Sequence, residues 1–295
     1  MLYSKTVAMR GFAFTAAILF ALIFFPGAMD ICADSFGKKF DSLQQRLVKD
    51  GFDQERLNAL YGRSDVFFDA RTVALFFVHS EVRLDYDKFT GSRLIAKARK
   101  YMLDYRSDLE NAEKQYGVDP EIITAILLVE TKLGTYLGRS QILSTLSTMA
   151  ALTDQGLRNA LWEKIPSNRR ITRQKFEKKA DRRSAWAYRE LKALLTYADR
   201  ERLDPAAIHG SYAGAMGICQ FMPSNIFLYA KDGNDDKAID LFEHADAIAS
   251  AASYLKHYGW HPGIDETKAF KVIRKYNHSD PYAKTILKIA NLLKD

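Results

Sequence analysis

Two places in the chain combine residue types suited to chemistry on a polar ligand. Glu130, in AILLVETKLG, follows Ile123, Ile126 and Leu127 by seven, four and three residues, so a helix puts all four on one apolar face. An ionised carboxylate buried without a partner is costly, so such a group either meets a donor or has its pKa raised. A carboxyl that stays protonated near neutral pH can act as a general acid. Taken alone, the same setting also fits a helix-end glutamate that snorkels to water or pairs with Lys132. Downstream, Gly210 to Ser224 reads GSYAGAMGICQFMPS, with neither helical nor strand period, which describes a shaped loop. Glycines at 210, 214 and 217 permit positive φ or close approach to a ligand, and Gln220 offers both donors and an acceptor.

The elements that position these groups read as helices. Asp119-Pro120-Glu121 predicts a helix start, with Asp as N-cap, Pro at the first helical position and an acid in the first turn, and the helix is expected to run to Gly134. FDSLQQRLVKDGF and RLNALYG carry apolar residues three and four apart and end in Gly. Residues 92 to 116 read as one longer amphipathic helix that stops at Gly117. No repeat of twenty to fifty residues and no low-complexity tract is visible, which excludes a solenoid or a disordered linker protein. The fold class expected is mainly α.

VETKLG on a capped helix, followed by LDPAAIHGS, GSYAGAMG, QFMPS and AIASAASYLKHYGW, resembles the lytic murein transglycosylases of the membrane-bound type B family. The resemblance runs from about Phe40 to the C-terminus and is strongest from Gly117 to Trp260. It implies a lysozyme-like helical core with additional N-terminal helical elements, divided here as 1–33 (signal peptide or uncleaved anchor), 34–117 (N-terminal helical region) and 118–295 (catalytic core). It also implies cleavage of the β-1,4 bond between N-acetylmuramic acid and N-acetylglucosamine with 1,6-anhydromuramic acid ends, no required cofactor, and peptidoglycan glycan strands as partner.

Carried over residue by residue, the resemblance makes Glu130 the sole catalytic acid and base. It sets Ser211 and Gln220 against the sugar at the cleavage point and points to Tyr254, Tyr276 and Tyr282 as further substrate-binding residues. Each tyrosine taken singly also reads as a packing residue, since aromatic rings dominate cores. Ile218-Cys219 departs from the family pattern before QFMP, which bears on the fine shape of the loop. Two alternatives stay open. A hydrolytic muramidase would need a second carboxylate roughly 5 to 9.5 Å from the first, and no motif-level acid adjoins the glycine-rich loop. A non-catalytic glycan-binding envelope protein would have no use for Glu130 on an apolar face.

From Asp232 to Glu243 the chain reads DGNDDKAIDLFE, with Asp232, Asn234, Asp236, Asp240 and Glu243 at ligand positions of a twelve-residue calcium loop and Ala238 at its backbone-carbonyl position. Lys237 stands where the sharp turn wants Gly, at a steric cost on the order of 1 kcal/mol, and its ammonium opposes a cation. Members of the resembled family often carry such a loop, so a structural calcium is one expectation and a solvated acidic loop the other.

The first residues bear on compartment. Lys5 and Arg10 precede GFAFTAAILFALIFF, then Pro26-Gly27-Ala28 and Ile31-Cys32-Ala33, a pattern of a secretory signal cleaved after Ala33. The apolar run is short of the roughly twenty residues of a transmembrane span, although an uncleaved anchor that associates the protein with a membrane also fits. Export to the periplasm or cell envelope is expected, and after cleavage Cys219 would be the one cysteine left, with no intramolecular disulfide to form.

The net charge of +7 suits an anionic partner without choosing among them. A basic stretch holds Arg169, Arg170, Arg173, Lys175, Lys178, Lys179, Arg182 and Arg183, and reads either as a site for teichoic acid or peptide carboxylates or as a solvated helix face. It lacks the regularly interleaved aromatics of a single-stranded nucleic-acid platform, and no nucleic acid partner is expected.

Overall fold

Thirteen α-helices and one two-stranded ribbon make up the regular structure in the computed structural model, which describes residues 38–78 and 86–294. The N-terminal helices are α1 (Asp41–Lys49), α2 (Gln54–Tyr61), α3 (Ala70–Val78), α4 (Ser92–Asp104) and α5 (Arg106–Tyr116). After them come α6 (Pro120–Thr131), β1 (Ser140–Gln141), α7 (Ile142–Ala150), α8 (Gln155–Lys164) and the long α9 (Arg173–Arg200). The chain ends with β2 (His209–Gly210), α10 (Pro223–Tyr229), α11 (His244–His257), α12 (Glu266–Tyr276) and α13 (Asp280–Lys294). The mainly α expectation holds. The expected signal or anchor, residues 1–33 with Cys32, Ala33 and the cut before Asp34, lies outside the described residues. No helix of the described residues is long and apolar enough to cross a membrane.

Helix α6 is the axis of the fold. Ile122 to Leu128 are buried all round, which is the pattern of a helix enclosed by others rather than lying on a surface. It packs along α13, with α4, α5 and α11 on its other sides, while α9 runs along α7 and meets α10. One apolar cluster extends from Phe40 to Leu293, so helices on both sides of residue 117 share a core.

Three local expectations differ from what is observed. Residues 92–116 form two helices, broken at Tyr105 (φ −111°, ψ 29°). Its ring packs 4.2 Å from that of His244 and 4.5 Å from that of Tyr101, and the break lets α5 turn along α11. Helix α6 ends at Thr131 rather than Gly134, because the Lys132 and Leu133 amides donate back to Leu128 O and Leu127 O and both residues take positive φ. That closure folds Leu133 into the core, where it is 5% exposed. Asp119 makes no side-chain cap to α6; its Oδ2 instead accepts from the Trp260 indole N–H at 3.1 Å, tying the start of α6 to the segment after α11.

Candidate active site

The early end of α6 leaves Glu130 in its last turn, half-buried. Thr131, fully buried beside it, donates its hydroxyl to Ile218 O at 2.9 Å and accepts from the Gly134 amide at 3.0 Å. The glycine-rich loop is thereby fastened to the residue next to the carboxylate. From the other side the Tyr282 hydroxyl, in the first turn of α13, donates to Glu130 Oε1 at 2.6 Å. Burial and the neighbouring carboxylate push the Tyr282 phenol well above its ordinary pKa, so it stays a donor. The Tyr86 and Tyr282 rings pack nearly perpendicular, with their centroids 6.3 Å apart.

The loop itself is built from short backbone pairings. Residues of β1 and β2 pair antiparallel, Ser140 with Gly210 and Gln141 with His209, and bridges follow from Gly210 to Met216 and from Met216 to Phe221. Glycine is required at two points by contact. A Cβ on Gly210 would lie 2.1 Å from Ala215 O, and one on Gly217, at φ 74°, would lie 2.4 Å from Leu241 Cβ. The loop then leaves into α10, whose first residues are held by Glu190 of α9: its carboxylate oxygens accept from the Ser224 amide and hydroxyl, each at 2.9 Å.

Ser211 and Gln220 occupy this loop. Ser211 Oγ accepts from the amides of Ala213 and Ala215, at 3.3 and 3.0 Å, and so shapes the turn while its own proton stays available to a ligand. Gln220 takes positive φ (51°), and its side-chain N–H groups donate to Gly217 O at 2.9 Å and Leu137 O at 3.3 Å. Its amide oxygen is then the group left to accept from a ligand.

Tyr254 and Tyr276 lie under the loop. The Tyr276 hydroxyl donates to Cys219 O at 2.6 Å, next to Gln220, and the Tyr254 hydroxyl donates to Lys275 O at 2.5 Å. Their rings pack 4.9 Å apart, with Phe221 5.7 and 6.0 Å from them. Burial raises the pKa of Tyr276 and of the Cys219 thiol, and Glu130 adds to both. The carboxylate therefore sits among neutral hydroxyl and thiol groups. Of the sequence-predicted residues, Glu130 and Tyr282 touch directly, Gln220 and Ser211 sit on the loop joined to them through Thr131, Tyr276 holds that loop through the Cys219 carbonyl, and Tyr254 packs its ring against Phe221 while its hydroxyl bonds Lys275 O of α12. The pairings of Thr131 and Glu190 carry no signal in the sequence, since the partners are 87 and 34 positions away.

The acidic loop has oxygen donors suited to a hard cation. Asp232 accepts from the Lys237 amide at 2.7 Å, Asp236 from the Ala238 amide at 2.8 Å, and Lys237 takes φ 72° with its side chain in solvent. Burial, together with Asp246, Asp236 and Asp240, raises the Glu243 pKa. The Asn234 amide N–H donates to Glu243 at 2.7 Å and to Asp236 at 3.2 Å, closing the loop on itself. Among the described residues no three His, Cys, Asp or Glu side chains converge on one point. In kind, carboxylate and amide oxygens are the donors calcium takes, and the Asn234 oxygen accepts from the Asp236 amide at 3.1 Å.

Comparison with known proteins agrees with this architecture. A curated protein of Escherichia coli K12, membrane-bound lytic murein transglycosylase B, is 36% identical over 159 residues. That alignment takes in 54% of this chain and 37% of the relative's length, so the match spans little more than a third of the curated protein. The fold is that of E. coli Slt35, solved in complex with calcium (TM-score 0.68, 24% identity, 89% of this chain and 92% of that one). It is also that of Pseudomonas aeruginosa SltB3, solved with a NAG-anhNAM-pentapeptide (TM-score 0.66, 19% identity, 91% and 80%). These neighbours share the helical fold described above. With the model of the transglycosylase SLT domain matching residues 35–266, the chain belongs to the SLT transglycosylase family.

Proposed function

We propose that the protein is a peptidoglycan lytic transglycosylase with Glu130 as its acid and base. The observation that carries this reading is the setting of Glu130: Tyr282 holds Oε1, and Thr131 fastens the next residue to the glycine-rich loop. The carboxyl proton of Glu130 passes to the glycosidic oxygen as the bond to the muramic acid anomeric carbon breaks. The electron pair of that bond leaves with the departing sugar, and oxocarbenium character builds at the anomeric carbon. The carboxylate then takes the proton of the sugar's own 6-hydroxyl, whose oxygen attacks the same carbon and closes the anhydro ring. An intramolecular nucleophile needs neither external water nor a second acid to activate it. Gln220 Oε1 and the Ser211 hydroxyl serve the N-acetyl and neighbouring polar groups, while Tyr254 and Tyr276 keep the loop in shape from below. Membership of the family, and the relatives' own names and bound glycans, support this substrate class.

The test is digestion of purified murein sacculi with mass analysis of the released fragments. Anhydro ends, lighter by one water than hydrolytic products, are expected, and Glu130→Gln should abolish release with the fold intact. Reducing ends would favour the muramidase reading, and intact sacculi would favour a glycan-binding envelope protein.

Calcium in the loop from Asp232 to Glu243, export to the envelope and the division at residue 117 belong to the same proposal. The signal-like start supports export, and the mature N-terminus should be found by mass spectrometry at or near Asp34. A cytosolic chain that keeps Met1 would overturn that part.

A further inference from the structure

The chain's net charge is concentrated in one place. Between 163 and 183 there are nine Lys and Arg residues against three Asp and Glu, so these residues hold six of the seven net positive charges. They span the end of α8, the turn from Ile165 to Thr172 and the first turns of α9.

The three acids of this stretch are occupied by cations at its base. Glu163 pairs with Arg170 at 3.3 Å, Glu177 with Arg158 and Arg173 at 2.9 and 2.6 Å, and Asp181 with Arg158 at 2.5 Å. The guanidinium groups of Arg170 and Arg173 also lie over the Trp162 ring, at 5.2 and 5.3 Å, which holds the turn against α8. Lys164, Arg169, Lys175, Lys178 and Arg182 are exposed, and none is ion-paired among the described residues. Lys175, Lys178 and Arg182 follow at spacings of three and four and so share one face of α9. Crowding of like charge is evident nearby, where burial and neighbouring arginines lower the pKa of both Lys179 and Arg183.

The shape of the turn selects the kind of partner. Pro166 to Arg169 are all exposed, and Ile171 stands at 36% exposure between Arg170 and Arg173. A linear polyanion would be served by cations lining a groove. An exposed turn that carries a partly exposed apolar side chain among sequence-neighbouring cations instead matches a surface that is anionic on the outside and apolar just beneath.

We infer that this turn and the adjoining face of α9 dock on an anionic phospholipid surface, with Arg169, Lys175 and Lys178 meeting headgroup phosphates and Ile171 entering the interface. The contact is independent of the apolar N-terminal stretch and of the site at Glu130.

The test is sedimentation of the full chain with vesicles of phosphatidylcholine alone and with about one third phosphatidylglycerol, at low and high salt. A preference for the anionic vesicles that fades with salt is expected. Each cation at such a surface changes partition about fivefold, so neutralising three (Arg169→Gln, Lys175→Gln and Lys178→Gln together) should reduce the preference by about a hundredfold. Partition through the N-terminal stretch is common to both proteins and cancels in the comparison. Ile171→Ser, a single surface change that keeps the cations, should weaken partition several-fold at unchanged salt dependence. Equal binding to both vesicles, a triple variant that folds and keeps the preference, or indifference to Ile171→Ser would overturn the inference. Tighter binding to a soluble glycerol phosphate polymer than to vesicles of equal phosphate content would assign the surface to a wall polymer and overturn it too.

Discussion

Tyr282 and Glu130 are joined across 152 positions by a hydrogen bond of 2.6 Å that locks the last turn of α6 to the first turn of α13. The phenol is a buried donor that fixes one oxygen of the carboxyl group. Tyr282→Phe removes the donor and keeps the ring. A hydrogen bond to a charged group is worth enough to lower kcat on sacculi by on the order of tenfold to a hundredfold. KM should change little, because the hydroxyl faces the carboxylate. A large rise in KM at unchanged kcat would instead make Tyr282 a binding residue.

Gly217→Ala tests how tightly the loop is seated. The new methyl meets Leu241 Cβ at 2.4 Å and sits on a backbone at φ 74°, so overpacking and strain act together. The loss should be about 2–4 kcal/mol, read as a drop in Tm of roughly 5–10 °C. Activity should fall further than stability, since Gln220 rides on the same backbone.

His244 predicts a pH dependence of stability. It is half-buried against Tyr101, whose hydroxyl meets Nδ1 at 2.9 Å, and partial burial lowers its pKa below the ordinary 6.5 although Asp108 opposes this. Below 6.5 the unfolded chain therefore binds the proton more readily than the folded one. The stability that neutral His244 contributes is present above that value and lost as pH falls through the lower, folded pKa. Denaturation followed from neutral to acidic pH should show this loss in the wild type, and His244→Gln should remove that part of the slope.

Calcium should raise Tm by mass action, by about 2.7 kcal/mol of stability at a hundred times Kd. Lys237→Gly removes an ammonium and a left-handed non-glycine residue, so it should enlarge the calcium response. Identical melting with calcium and with chelator, in both proteins, would take the metal out of the account.

Local rules are what made part of this protein legible. The apolar spacing around Glu130, the Asp-Pro start of α6 and the glycines of the loop depend on neighbours within a few residues, which a linear sequence displays. Helical character and the loop at Gly210 to Ser224 could be read for that reason, and the family motifs lie on the same short segments. What tertiary structure alone decided are contacts between distant residues. Asp119 leaves its cap for Trp260, 141 positions on, because an indole N–H enclosed in the core needs an acceptor. Tyr105 breaks a continuous amphipathic pattern because its ring packs against His244, and Tyr254 and Tyr276, which look alike in sequence to Tyr282, turn their hydroxyls to the backbone carbonyls of Lys275 and Cys219. The pairing of Thr131 with Ile218 and of Glu190 with Ser224 follows from the same demand. Buried polar groups must find partners wherever the fold supplies them, and sequence separation has no bearing on which ones are near.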